Sequence, residues 1–209
     1  MAKKKDGISN AVINRLPRYR RYLYELKKKK VEKISSQGLS DIMGYTASQI
    51  RQDFNHFGDF GQQGYGYSVN QLYDEIGRVL GLDKEYRMVV VGIGHLGKSI
   101  ARYTYLYKNG FKIYGLFDLE EKTIGRTVRV KIRAMEDLVE FVEKNKIDIG
   151  VICVPPDQAQ GVCDKLCFAG VKGIWNFAPI DLETPPKVAV ENVHVMESLH
   201  TLVYRMNDK

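Results

Sequence analysis

Cysteine is scarce in this chain. Its 209 residues include three, Cys153, Cys163 and Cys167, an odd count with no CxxC pair. That argues against a disulfide framework and fits a reducing compartment. Cys163 and Cys167 stand at i, i+4 on an expected helix. No histidine is placed to complete a metal site with them, so they read as buried structural thiols. Histidine is nearly as scarce, with four: His56, His95, His194 and His200. Long apolar runs are missing too, and nothing approaches the roughly 20 residues of a membrane span. The opening MAKKKDGISN carries charge with no apolar stretch behind it, so it is not a secretory signal. A cytoplasmic protein with no membrane partner is expected.

Positive charge, by contrast, is in excess, and it is unevenly spread. Residues 1–80 hold 14 Lys+Arg against 8 Asp+Glu, a net +6, while residues 81–209 hold 18 against 17, a net +1. Such asymmetry suggests a polyanion partner for the first segment. In NAVINRLPRYRRYLYELKKKK, residues 10–30, Val12, Ile13, Leu16, Tyr19, Leu23 and Leu26 recur at helical spacing, with Pro17 as a start or kink. Arg15, Arg18, Arg21 and Lys28 fall on the opposite, solvated face. After a break at Lys33-Ile34-Ser35, Ser36 can cap a short helix that Gly44 stops. Thr46-Ala47-Ser48-Gln49 is a capping box opening a third helix, TASQIRQDFNHF. Helix, Gly-containing turn, capped helix is the helix-turn-helix arrangement.

In such a motif the last helix enters the major groove, and Arg suits guanine as Gln suits adenine. Ser48, Gln49, Arg51, Gln52 and Asn55 face outward; Ile50 and Phe54 face inward. GDFGQQGYGYSVNQL then reads as a tight hairpin, the wing of a winged-helix domain, with Gln62 and Gln63 at its tip and Tyr67 on its return. Ser68-Val69-Asn70-Gln71 caps a further helix to about Leu80, and Gly81-Leu82-Asp83 is a linker.

Residues 88–99, MVVVGIGHLGKS, fit two phosphate-binding patterns. Gly92-x-Gly94-x-x-Gly97 is the dinucleotide fingerprint; Gly92-x4-Gly97-Lys98-Ser99 is the P-loop pattern. The context favours the dinucleotide. YRMVVVG is a buried strand, Ser99–Tyr107 a helix, and FKIYGLFD a second strand ending in Asp118, 21 residues after Gly97. That is close to the interval for the acid that holds the adenosine ribose, and a carboxylate there selects NAD over NADP. Arg126 offers only a weak case for NADP. A P-loop would use Lys98 on the phosphates, Ser99 on Mg²⁺ and Asp118 as its second acid, but has no use for Gly94.

The rhythm then alternates: a helix at Met135–Lys144, a strand at Ile147–Val154 stopped by Pro155-Pro156, a helix at Asp157–Gly170, the strand VKGIWNF, and a strand at Val188–Val195. Val154, Pro155, Phe177, Ala178 and Pro179 would flank the nicotinamide half. MESLHTLVYRM is a helix whose apolar stripe suggests a dimer contact.

A dehydrogenase needs a general acid or base beside the nicotinamide. None of the four histidines sits beside a helpful Asp or Lys after a strand end, and no substrate-sized domain remains. A sensor joined to a DNA reader is the better reading. The rivals are a small NAD-dependent oxidoreductase with an accessory helical domain, and a DNA-linked P-loop ATPase.

ASQIRQDFNHFGDFGQQGYGY, VVVGIGHLGKSIARY, NFAPIDLE and VAVENVHV resemble the Rex redox-sensing repressors of bacteria, over about residues 8–206. The resemblance implies an α/β chain: a winged-helix DNA-binding domain (1–82), a Rossmann NAD(H)-binding domain (83–195) and a C-terminal domain-swapped helix (196–209). It implies a cytoplasmic homodimer on inverted-repeat operator DNA, NAD⁺ permitting repression and NADH releasing it. By position, Gly92, Ile93, Gly94, His95, Leu96 and Gly97 would hold the pyrophosphate and Asp118 the ribose. Arg51 matches a recognition-helix arginine. Arg15, Tyr103 and position 194 match the redox switch. Three positions depart: Gln52 and Gln63 where relatives often carry basic residues, and His194 where they commonly carry aspartate.

Overall fold

In the computed structural model, which describes residues 9–56, 66–120 and 123–208, the chain divides into two units, residues 1–84 and 85–209. The first begins with α1 (Asn10–Lys28), capped by Ser9. Pro17 lies inside this helix rather than at its start, and so deprives the Ile13 carbonyl of its helical donor. The helix runs through because Leu16, Tyr19 and Leu23 bury one continuous face. Ile13, expected on that face, is 44% exposed.

The break at 33–35 hides a strand. β1 (Lys33–Ile34) pairs antiparallel with β2 (Tyr67–Ser68). Between them lie α2 (Ser36–Met43) and α3 (Ala47–Asn55). Ser35, not Ser36, caps α2, its hydroxyl accepting from the Gly38 amide at 2.9 Å. Gly44 closes α2 at φ +73°, and Thr46 caps α3 by accepting from the Gln49 amide at 3.1 Å. Helix α4 (Val69–Val79) starts at the Ser68 cap. Leu16, Leu39, Ile50, Phe54, Leu72 and Ile76 make the core of this unit. Gln62 and Gln63, the expected wing tip, lie outside the described residues.

The second unit is a six-stranded parallel sheet. In chain order it runs β3 (Tyr86–Val91), α5 (His95–Arg102), α6 (Thr104–Lys108), β4 (Phe111–Asp118), β5 (Ile132–Ala134), α7 (Leu138–Asn145), β6 (Ile149–Ile152), α8 (Pro156–Phe168), β7 (Gly173–Asn176), β8 (Ala189–Asn192) and α9 (Val195–Asn207). The strand order is β5-β4-β3-β6-β7-β8. The chain winds outward from β3, then returns to wind the other way, so a topological switch point opens between β3 and β6. Buried valines at 89, 90 and 91 make β3 apolar on both faces, as a central parallel strand requires.

Three local expectations change. The helix after the glycine loop starts at His95, not Ser99, and breaks at Tyr103, whose ψ of 96° no helix tolerates. β5 had no sequence signal, being three residues long. Pro156 does not end a strand; it opens α8, where its missing amide costs nothing.

Helices α7 and α8 cover one face of the sheet, with Val89, Val91, Leu138, Val142, Ile152 and Leu166 between them. The other face carries α5 and α6, and no helix spans residues 177–188. An apolar gap of about 430 Å³ remains there, walled by Met88, Leu106, Phe111, Ile149, Trp175 and Val190. Helix α9 has no buried residue; Leu199, Leu202 and Val203 are about half exposed. No helix among the described residues is long and apolar enough to cross a membrane.

Candidate cofactor cleft and nucleic-acid face

At the switch point a cleft of about 650 Å³ lies over the C-terminal ends of β3, β4 and β6. Its three glycines do different jobs. Gly92 sits at φ +90°, and a Cβ there would come 2.6 Å from the Cys153 carbonyl oxygen. A Cβ on Gly97 would come 2.0 Å from the Gly92 carbonyl oxygen. Both are glycine because backbone passes against backbone. A Cβ on Gly94 would meet nothing within 4 Å. The fold has no use for a glycine there, and the open space lies on the cleft wall. Gly94 also offers α5 no side-chain cap, leaving the first-turn amides of that helix to an anion.

Two glycine substitutions should therefore part company. Gly97→Ala should destabilise the unit, because the colliding atom is backbone. Gly94→Ala should keep the ligand-free melting temperature within a degree or two, yet weaken a pyrophosphate ligand by about tenfold or more, roughly 1.4 kcal/mol of lost approach. Thermal unfolding and ligand titration of both variants check this.

Asp118 stands at the end of β4. Its Oδ2 accepts from the Ile93 amide at 2.7 Å and its Oδ1 from the Glu120 amide at 3.0 Å. Two backbone donors thus pin a carboxylate on the cleft rim, ready to accept from vicinal hydroxyls. Cys153 lies in the cleft with its thiol pushed up to about 12 by burial, so it stays protonated at neutral pH and is no nucleophile. These residues fit an adenine dinucleotide: amides and Gly94 for the pyrophosphate, Asp118 for the ribose. They do not fit a P-loop. The Ser99 hydroxyl donates to the His95 carbonyl at 2.9 Å, and neither Lys98 nor Ser99 lines the cleft.

Of the expected cofactor residues, Gly92, Ile93, Gly94, Asp118, Val154 and Pro155 line this cleft. His95, Leu96 and Gly97 form the first turn of α5. Phe177 packs on Trp175 with ring centroids 4.6 Å apart, and Pro179 is exposed. Ala178 is buried, and its amide is taken by Asn176 Oδ1 at 2.9 Å, so neither its methyl nor its amide is open to a ligand. Met135, Gln158 and Val162 line the cleft without having been anticipated. Gln158 and Val162 share one face of α8 at i, i+4, a spacing that could have marked them.

On α3, Ser48, Arg51, Gln52 and Asn55 are exposed and Gln49 is half-buried, while Ile50 and Phe54 are buried. Arg51 Nη1 donates to the Ser36 hydroxyl at 3.2 Å, which holds the guanidinium over the start of α2. Tyr67 turns inward: its ring meets Phe54 edge-on at 5.1 Å, and burial raises its pKa.

The N-terminal half of the first unit matches a family model described as a putative DNA-binding protein N-terminus, over residues 7–55. Residues 83–180 match one described as a CoA binding domain. The redox-sensing transcriptional repressor Rex of Clostridium perfringens is 55% identical over 205 residues, covering 98% of this chain and 97% of that protein. Its counterpart from Thermoanaerobacter pseudethanolicus is 52% identical, covering 99% and 92%. The chain belongs to the Rex family. Among solved structures, the Rex-family repressor RSP in complex with β-NAD⁺ and operator DNA superposes with a TM-score of 0.92 at 52% identity, covering 97% of this chain and 94% of that one. RSP in complex with β-NADH gives 0.89 at 50% identity, covering 96% and 95%.

The residues that the Rex resemblance ties to the switch take unexpected places. Arg15 does not stand on a solvated face. Its Nε and Nη2 donate to the two oxygens of Asp53, each at 2.7 Å, and Asp53 is 2% exposed. The buried Tyr19 hydroxyl donates to the same carboxylate at 2.7 Å. Bonding to Asp53 raises the Arg15 pKa further, and burial raises that of Tyr19. Asp53 escaped the sequence reading, although a carboxylate beside Phe54 on the inward stripe demands a partner. Arg18 is likewise engaged, donating to the Met43 carbonyl at 2.9 Å and the Tyr45 hydroxyl at 3.1 Å. Two of the six cations of α1, Arg15 and Arg18, therefore brace the helix-turn-helix. Tyr103, at the break between α5 and α6, is 55% exposed and off the cleft wall. His194 precedes α9, with Nε2 3.0 Å from Asp181 Oδ1.

Proposed function

We propose that this chain is a transcriptional repressor that senses the cellular NADH/NAD⁺ ratio, binding operator DNA with NAD⁺ and leaving it with NADH. The observation that carries the reading is the pair Gly94 and Asp118. One is a glycine the fold does not need, facing open space; the other is a carboxylate pinned where ribose hydroxyls would lie. The likeness to RSP, solved with β-NAD⁺ and operator DNA and also with β-NADH, supports it at high identity over nearly the full length. The reader is residues 1–82, the sensor 83–195 and the exchanged helix 196–209.

The nicotinamide supplies the signal, a ring that is charged when oxidised and neutral when reduced. The chain's own residues do the rest. Gly94 and the first turn of α5 seat the pyrophosphate, Asp118 orients the adenosine end, and Val154, Pro155, Phe177 and Pro179 frame the other end. Tyr103, Arg15 and His194 belong to the switch. The protein works as a cytoplasmic homodimer in which α9 crosses to the partner. The unburied apolar stripe of α9 and the uncovered sheet face support that exchange. A dimer reads an inverted repeat only if its recognition helices lie one DNA turn apart, so a small rotation ends binding. Moving from 1:99 to 99:1 takes about 5.5 kcal/mol of ligand discrimination.

Fluorescence titration with NADH, NAD⁺, NADPH and ATP·Mg²⁺, alongside operator binding, tests the proposal. Tight NADH with operator release supports it; tight ATP and no NADH response would end it. In the same assay Arg51→Ala should weaken operator binding by about 1–3 kcal/mol and relax preference at one base pair. Unchanged binding would remove Arg51 from the reading set.

A further inference from the structure

A chain of side-chain hydrogen bonds runs from the end of β7 to the start of α9. Asn176, the last residue of β7, is fully buried. Its Nδ2 donates to the Ile180 carbonyl at 2.7 Å and to Asn192 Oδ1 at 2.9 Å, and its Oδ1 accepts from the Ala178 amide at 2.9 Å. One amide therefore clamps the loop that frames the nicotinamide side and grips the end of β8. Asn192 Nδ2 then donates to Asp181 Oδ1 at 3.0 Å, the same oxygen that His194 Nε2 approaches at 3.0 Å. His194 is the cap position of α9, and its carbonyl accepts from the Glu197 amide at 3.2 Å.

The arrangement is continuous from the buried Asn176 to the start of α9. Asp181 lies at the surface, where a stabilising contact would gain little, while the His194 side chain is only 24% exposed. Asn176 cannot rotate without orphaning a buried amide, so movement of residues 177–180 must carry Asn192 with it. Because Asp181 Oδ1 receives both Asn192 and His194, that displacement reaches the first turn of the helix.

We propose that Asn176, Asn192, Asp181 and His194 are positioning residues that relay the state of the cofactor cleft to α9. The relay rests on the NADH-responsive operator binding proposed above. It acts on coupling between two sites, not on the affinity of either.

The full-length protein with Asp181→Ala and Asp181→Asn tests it, because Asp181 is exposed and its loss spares the core. Two quantities are measured: the NADH dissociation constant, and operator affinity with and without saturating NADH. Asp181→Ala should leave NADH affinity and ligand-free operator affinity within about twofold of wild type. It should cut the NADH-induced change in operator affinity by about threefold or more. Asp181→Asn, which keeps the shared Oδ1 acceptor, should retain the wild-type change. An unaltered change in Asp181→Ala overturns the relay, as does a loss that merely tracks weaker NADH binding. A loss in Asp181→Asn as complete as in Asp181→Ala also overturns it, since charge and not the shared acceptor would then matter. A wild-type protein whose operator affinity ignores NADH removes the functional reading and the relay together; a responsive wild type with an equally responsive Asp181→Ala removes the relay alone.

Discussion

Asp118→Ala is expected to weaken NADH by about 30-fold or more while operator affinity of the ligand-free protein stays as it was. On the proposed reading the carboxylate accepts from both adenosine ribose hydroxyls, and a hydrogen bond to a charged group contributes roughly 1.5–3 kcal/mol. Losing one such bond gives about tenfold, losing two a hundredfold or more. The same substitution frees the Ile93 amide, which Asp118 holds at 2.7 Å, so the glycine loop loses its anchor to β4 as well. Selectivity should shift too. Without a fixed negative charge on the rim, a 2′-phosphate is no longer repelled, and NADPH should gain on NADH. Parallel titrations with the two reduced nucleotides read both effects. An Asp118→Ala protein that binds NADH normally would refute the ribose assignment.

The second large effect concerns stability. Asp53→Ala removes the common acceptor of Arg15 Nε, Arg15 Nη2 and the Tyr19 hydroxyl. Breaking a buried pair on one side strands the other charge, at about 3–5 kcal/mol. For a unit of some 80 residues that corresponds to a fall in melting temperature of roughly 12 °C or more. Operator affinity should fall with it, because Asp53 ties α3 to α1 and so sets the pose of Arg51 and its neighbours. Thermal and denaturant unfolding measure the loss. A cost below about 1 kcal/mol would mean that water replaces Asp53 and that the triad is ornamental.

The sequence made the scaffold legible but left its polar wiring unread. Buried valines in β3, caps at Thr46 and Ser68, and the interval from Gly97 to Asp118 are local signals that burial and backbone geometry impose within a few residues. They located the helix-turn-helix, the parallel sheet and half of the cleft wall. Arg15 and Asp53 lie 38 positions apart, and Asn176 and Asn192 lie 16 apart. Hydrophobic periodicity reports which face is inward, not which polar group on another element will meet it. That is why Arg15 read as a solvated charge, and why Asn176 drew no notice. The three shortest strands, β1, β2 and β5, fall below the length at which alternation can be counted. The break at Tyr103 has no glycine or proline to announce it.

The order of strands in the sheet also sets an order in time. The DNA-reading unit closes on contacts made by α4, which ends at Val79. The sheet is not complete until β8, which ends at Asn192, and its central strand β3 must wait for β6 to form its second ladder. Helical, locally connected units fold fast, whereas parallel pairing over long separations is slow. At translation rates of about 5–20 residues per second, the reader precedes the finished sensor by roughly 6 to 23 s. Each nascent chain thus carries, for a while, a folded DNA reader with nothing yet attached that could tell it to let go.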